Sequence, residues 1–424
     1  MKKVILFTLA ALMLMSGAAM ATQSRIDALG RYTAPYICDD YNVFTWYATL
    51  PSYSNVLVMT TWNTEYYGEY DYSDGSDFGS YYAMTYGLGE DGDMGTLAMV
   101  FIDNMTGPNN DYWMAENIND DDWPHSDLAD DDLYSKWILM YGYKMENMTF
   151  ALMWSRASES WKDTEGDDED ESIEAYTTIG LGFRMEISDE LTAEIAFDYT
   201  KVTDTRKGTD MLDREMDPNS GMALRTRGFY KWSDDITLVQ YFSWDTKDFA
   251  MKENDEYTPY GSEGGYKAMN VTFGFGANMK VNDDNMILFA IEPYSMYKGE
   301  PSFYDEDNDD TWEAKYVAMP RFILALESDI TDWLTFRTGM SKDLGKATWS
   351  GEDGDTSEEY EWTDVYDTFA WNLGLGFHFG DFDIDCVINK NVPFSMGYWL
   401  TGYQQDPYYT SNTPIAMISM LYSF

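Results

Sequence analysis

Five arginines fall on alternating positions of segments that otherwise repeat apolar and polar residues: Arg184, Arg225, Arg227, Arg321 and Arg337. Carboxylates occupy equivalent positions, with Glu174, Glu194, Asp198, Asp383 and Asp385 forming the acidic set. Opposed basic and acidic rows facing water would set up a transverse field that selects solutes by charge and dipole. The same groups could instead close on one another as internal ion pairs that keep a lumen polar. Both readings stay open at the level of sequence.

A second set of carboxylates is clustered in runs. Asp120, Asp121 and Asp122 form one triplet and Asp130, Asp131 and Asp132 another, and further runs cover 166–171 and 305–310. Carboxylate oxygens at this density are candidate ligands for loop-bound Ca²⁺ or Mg²⁺, and no other cofactor is expected. None has the spacing of an EF-hand loop, and the ordinary role of such a run is a solvated, mutually repelling surface. Catalysis is not expected: His125 lies in a long acidic loop, His378 near the end of an alternating segment, and neither is accompanied by a nucleophile set. Cys38 and Cys386 could pair in an oxidising compartment or serve as small buried residues, and spacing does not decide between these.

The charged residues need elements to position them. The chain has 424 residues and a formal net charge of −48, which excludes a general nucleic-acid binder. An aromatic content of 17 % is too high for a disordered acidic chain. Residues 1–21 read as a secretory signal, with Lys2 and Lys3 before an apolar run and Ala19-Met20-Ala21 as cleavage site. No later stretch is apolar for long enough to make a membrane helix. What remains is period-two alternation. In 173–185, Ile179, Leu181 and Phe183 alternate with Gly180, Gly182 and Arg184; the same pattern recurs in 191–200, 269–279 and 369–379.

The segments are joined by alternately short and long connections. Short ones include Glu146-Asn147, 188–190, 233–235, 282–285, 329–332 and Gly380-Asp381; long ones include 63–79, 104–135, 159–172, 201–220, 247–265, 299–310, 342–363 and 391–412. Short turns at one end and long loops at the other are the pattern of an outer-membrane barrel. The predicted fold is all-β, a transmembrane antiparallel up-and-down β-barrel of about sixteen strands, with 14–18 compatible. The final segment, IAMISMLYSF, puts Ile418, Met420, Tyr422 and Phe424 on one face. Its terminal aromatic resembles the signal by which bacterial barrels are handed to the assembly machinery.

Residues 22–51 do not alternate and are expected to form a periplasmic or plug segment ahead of a barrel over 52–424. Here Ala28-Leu29-Gly30, then Asp39-Asp40, then Trp46-Tyr47-Ala48 with Leu50, resembles the mature N-terminus of the long-chain fatty-acid transporter-like superfamily of outer-membrane barrels. Trp46-Tyr47 stand where that family has Asn-Pro. The resemblance implies a hatch within the barrel.

The function expected from these features is porin-like passive diffusion of small solutes across the cell outer membrane. Arg184, Arg225, Arg227, Arg321, Arg337, Glu194, Asp198 and Asp385 would then line the pore, and a homotrimer is the assembly common among porins. One alternative is a plugged transporter for hydrophobic compounds. Another is a surface or structural barrel whose acidic loops carry the function. Expected partners are outer-membrane lipid, the solutes and the assembly machinery that reads Phe424; nucleic acid is not one.

Overall fold

A computed structural model describes residues 22–37, 40–63, 78–89, 92–103, 135–165, 168–207, 214–253, 265–302, 311–353, 358–388 and 415–424. The predicted signal, His125, Cys38 and the candidate metal ligands Asp120, Asp121, Asp122, Asp130, Asp131 and Asp132 lie outside these residues.

Among the described residues the alternating segments become sixteen strands. The first four are β1 (Val56–Asn63), β2 (Phe78–Gly87), β3 (Thr96–Asp103) and β4 (Ser135–Met145). Six longer strands follow: β5 (Met148–Glu165), β6 (Asp168–Glu186), β7 (Leu191–Lys207), β8 (Arg214–Lys231), β9 (Ile236–Glu253) and β10 (Gly265–Asn282). The remainder are β11 (Asn285–Ser302), β12 (Thr311–Thr331), β13 (Leu334–Asp353), β14 (Glu358–Phe379), β15 (Phe382–Ile388) and β16 (Ile415–Ser423). Each pairs antiparallel with the next, and β16 returns to β1 with Val56 opposite Ser423, so the sheet closes. Closure leaves no unpaired edge, the condition a sheet must meet in hydrocarbon.

Alternation decides which face points where. On β5, Thr149, Ala151, Met153, Ser155 and Ala157 are buried inside, while Phe150 and Leu152 are 44 % and 50 % exposed outside. The same holds for Leu181, Ile195, Phe197, Phe289 and Leu324, so the barrel presents an apolar outer wall. Trp232, Trp333, Phe379 and Phe424 are exposed beside the short turns, forming an aromatic girdle at that end. Two of these turns show why they are tight. Glu146 (φ +45°) and Gly380 (φ +70°) adopt the left-handed conformation whose twist matches a two-residue hairpin. In the exposed turns, Lys231 and Lys280 each form an ion pair with an aspartate, and the hydrogen bond holds the Asp234 and Asp283 carboxyls below their usual range.

Expectations about the loops are corrected. The long connections read over 159–172, 201–220 and 342–363 contract to 166–167, 208–213 and 354–357, because the flanking strands run to Glu165, Lys207 and Asp353 and resume at Asp168, Arg214 and Glu358. Strands β5 to β14 are 17–22 residues long, against the roughly 9–11 that cross a bilayer. The ladder continues into water, where polar residues satisfy it as well as apolar ones.

The non-alternating N-terminal residues lie inside the barrel. Helix α1 (Gln23–Leu29) is followed by 3₁₀ turns at Arg31–Tyr36, Asp40–Phe44 and Tyr47–Tyr53. Thr22 caps α1 by accepting from the Arg25 N–H, and Gly30 (φ +90°) ends it. Pro35 and Pro51 sit in the 3₁₀ turns, where they deny the segment the backbone donors a strand would need. Every residue of α1 is buried.

The outer face yields a test. Leu181→Arg, on the apolar wall, should destabilise the barrel in phospholipid vesicles by about 2–4 kcal/mol near mid-depth, read by urea titration of the heat-modifiable folded band.

Candidate functional site

The interior contacts group into four sets, each joining the N-terminal plug to charged residues of the wall. The first holds α1. Arg25 makes a two-pronged ion pair with Glu327 on β12, at 2.7 and 2.8 Å. Arg337 on β13 reaches the same carboxylate at 2.6 Å and also bonds Asp385 on β15. The Thr22 hydroxyl donates to Asp385 at 2.7 Å, and Ser24 Oγ meets Ser419 Oγ on β16 at 2.7 Å.

The second set holds the Arg31–Tyr36 turn. Arg321 on β12 pairs with Asp343 through two bonds of 2.8 and 2.9 Å and with Glu292 on β11 at 3.1 Å. The Tyr36 hydroxyl donates to Glu292 at 3.0 Å, and the Tyr32 ring lies 3.5 Å from the Arg321 guanidinium. Asn278 on β10 donates to the Tyr36 carbonyl at 2.6 Å.

The third centres on Arg227 of β8. It pairs with Glu194 at 2.7 Å, which Arg184 also approaches at 3.1 Å. Its other face donates to the Ile37 carbonyl at 3.1 Å and to Asn42 Oδ1, and it stacks on the Trp46 ring at 4.3 Å. The guanidinium thereby satisfies plug backbone groups that have no ladder partner. The fourth set is Asp198 on β7, held by Arg225 at 2.5 Å and by the Tyr47 hydroxyl at 2.6 Å. Burial, then the facing carboxylate, raises both the Tyr36 and Tyr47 phenols, so they remain donors.

All eight residues read from sequence as pore-lining face the lumen: Arg184, Arg225, Arg227, Arg321, Arg337, Glu194, Asp198 and Asp385. They do not face each other across open water. They form ion pairs between neighbouring strands or, for Arg337 and Asp385, across β14, and Arg225, Arg227, Arg321, Arg337, Glu194, Asp198 and Asp385 belong to networks that include plug atoms. Sequence reading missed Arg25 and the wall carboxylates Glu292, Glu327 and Asp343. Glu327 lies six residues beyond Arg321 on the same strand face, a signal that was present. The irregularity around Pro320, where β12 shifts register between Ala318 and Arg321, obscured it.

The wall is shaped to receive the plug. Gly180-Leu181-Gly182, Gly274-Phe275-Gly276 and Gly374-Leu375-Gly376 each place two glycines inward. A Cβ on Gly182 would lie 2.7 Å from the Ala48 nitrogen, and one on Gly276 would lie 2.7 Å from the Tyr36 ring. Between the glycine seats, the plug packs in two apolar patches. Ile26, Leu29, Tyr36 and Ile37 meet Val239, Leu288, Ala290, Ile323 and Ala325. Val43, Trp46, Tyr47 and Leu50 meet the largely apolar wall of β1 to β5. The charged seam and the apolar patches do different work. Buried ion pairs roughly balance their own desolvation, so they fix where the plug sits, while apolar burial supplies the net adhesion.

His378 bridges Asp383 at 2.7 Å and Thr335 at 2.9 Å near the short turns, a position where it ties β13, β14 and β15 together. Asp383 faces inward there, and the Glu174 side chain lies outside the described residues. Cys386 is buried with a free thiol. Among the described residues, no group of three or more His, Cys, Asp or Glu is placed to hold a metal ion.

No protein-family model matches the chain, and neither does any curated protein. Solved structures that it resembles include the toluene transporter TodX of Pseudomonas putida, at 10 % identity and a TM-score of 0.39, over 96 % of this chain and 98 % of that one. The alcaligin outer-membrane receptor FauA of Bordetella pertussis follows at 7 % and 0.39, over 87 % and 75 %. The outer-membrane protease OmpT of Escherichia coli gives 10 % and 0.26, over 55 % and 97 %. At such scores these likenesses carry no argument about activity.

The shared carboxylate makes a direct test. Glu327→Ala leaves the buried Arg25 and Arg337 without it, and the folded barrel should lose about 3–5 kcal/mol in urea titration. Glu327→Gln, which keeps the shape and part of the hydrogen bonding, should lose less.

Proposed function

We propose that this chain is a plugged transport barrel of the cell outer membrane, passing small solutes when the N-terminal segment shifts on its seat. One observation carries the reading: residues 22–37 and 40–53 occupy the lumen and are joined to it by ion pairs and hydroxyl bonds that water can replace, with no covalent link among the described residues. In a permanently open, passive pore, Arg227, Asp198, Glu292 and Asp385 would lose the plug partners they have here. The apolar wall of β1 to β5 supports solutes with an apolar body. An apolar outer face flanked by an aromatic girdle supports the membrane placement. Strand β16, which closes the barrel and carries Phe424, is the element through which assembly machinery would act.

Locking the plug tests the proposal. The Ser24 Oγ on the plug and the Ser419 Oγ on β16 meet at 2.7 Å, so a pair Ser24→Cys with Ser419→Cys can be joined by a disulfide, in a background where Cys38 and Cys386 are alanine. In planar bilayers the unlocked barrel should show infrequent openings. The oxidised pair should show none, and a reductant should restore them. Steady conductance that is insensitive to the lock would instead return the porin reading.

Loosening the seat is the complementary test. Gly182→Leu, which drives a side chain into Ala48 and Tyr47, should raise opening frequency several-fold without loss of the heat-modifiable folded band.

A further inference from the structure

Each buried carboxylate of the described barrel wall has an arginine partner, with one exception. Glu194, Asp198, Glu292, Asp343 and Asp385 are all within ion-pair distance of an arginine. Asp245 on β9 is 4 % exposed and has no ion pair among the described residues. Asn270 on β10 donates to its Oδ2 at 3.2 Å, while its Oδ1 is buried without a hydrogen-bond partner. A buried carboxylate oxygen left unmatched is costly, and in a wall that pairs its other acids it marks a place for an incoming group.

Its surroundings say what kind. Strand register puts Asp245 opposite Asn270, Asn270 opposite Tyr297 on β11, and Tyr297 opposite Tyr316 on β12. Burial places these four in one inward row. From Tyr316 the aromatic side chains continue toward the end of the barrel away from the short turns. The Tyr297 and Tyr316 ring centroids are 5.9 Å apart, Tyr316 and Trp349 5.7 Å, and Trp349 and Trp362 4.5 Å. Tyr297 is buried, whereas Trp362 is 61 % exposed, so the ladder leads from solvent to Tyr297, in the same inward row as the carboxylate and two strands from it. Aromatic faces attract cations, and an unpaired carboxylate at the foot of the ladder supplies the counter-charge. Neighbouring strands are about 4.8 Å apart, so Asp245 and Tyr297 stand roughly 10 Å apart along the wall with Asn270 between them. The acidic chain as a whole would concentrate such ligands at its surface.

We infer that Asp245, Asn270, Tyr297, Tyr316, Trp349 and Trp362 form a binding site for an organic cation on the lumen wall. The site deepens the transport reading, on which its role in uptake rests; binding itself does not require the plug to move.

The test is calorimetric titration of the folded full-length barrel with choline, and with 3,3-dimethylbutan-1-ol, its uncharged carbon isostere, in a maltoside detergent that carries no choline group. Tryptophan fluorescence is followed in parallel. Choline should bind saturably and quench or shift the emission. The isostere should bind at least about tenfold more weakly, as loss of a desolvated cation–aromatic contact implies. Asp245→Asn should weaken choline to a similar degree, and Trp349→Leu should weaken it independently of the acid, which covers the case in which the Asp245 variant does not fold. Equal binding of choline and its isostere would overturn the inference in favour of a plain apolar surface. Absence of saturable choline binding, or binding that Asp245→Asn and Trp349→Leu leave unchanged, would also overturn it. Conductance that ignores the plug lock, together with intact choline binding, would reject the transport reading while leaving the site standing.

Discussion

The charged seam between the plug and the wall is the interaction on which the rest of the interior depends. A closed sheet of this many strands encloses more space than its own side chains can fill. Either water or another piece of chain must occupy it. A helix and three 3₁₀ turns bring backbone groups with no ladder to join, and those groups need partners in a water-poor space. Arg227, donating to the Ile37 carbonyl and to Asn42, and Asn278, donating to the Tyr36 carbonyl, are wall residues that supply them.

From that requirement the other features follow. Guanidiniums inside the barrel need carboxylates; Glu194, Asp198, Glu292, Glu327 and Asp343 provide them from adjacent strands, and Asp385 from across β14. A plug this close to the wall needs room, and the inward glycine pairs of β6, β10 and β14 make it. Adhesion then comes from two apolar patches on either side of the seam. The outer wall answers to a separate constraint, hydrocarbon instead of protein. For this reason one period-two pattern carries two codes, apolar outward and a mixture of charge, glycine and alanine inward.

Much of this was legible in the chain. Period-two alternation and the short turns placed the strands, and the closed barrel has sixteen of them. The inward arginines and carboxylates followed from alternation alone. Their partners did not, because pairing across strands depends on register, and the shift near Arg321 cannot be read from a single segment. The glycines of the polar face were visible as a pattern, but their purpose requires knowing that Tyr36, Tyr47 and Ala48 press against them. Strand ends were the weakest reading, since a ladder in water needs no apolar residues to mark where it stops.

The central claim is that residues 22–37 and 40–53 fill the lumen of the folded barrel. The most direct measurement is the labelling rate of Ala28→Cys by a membrane-impermeant maleimide, in a background with Cys38 and Cys386 replaced by alanine. Ser233→Cys in an exposed turn serves as reference. Protection of the Ala28 position until urea unfolds the barrel is the predicted result. Labelling at the rate of the turn cysteine, in a barrel that remains folded, would contradict the account.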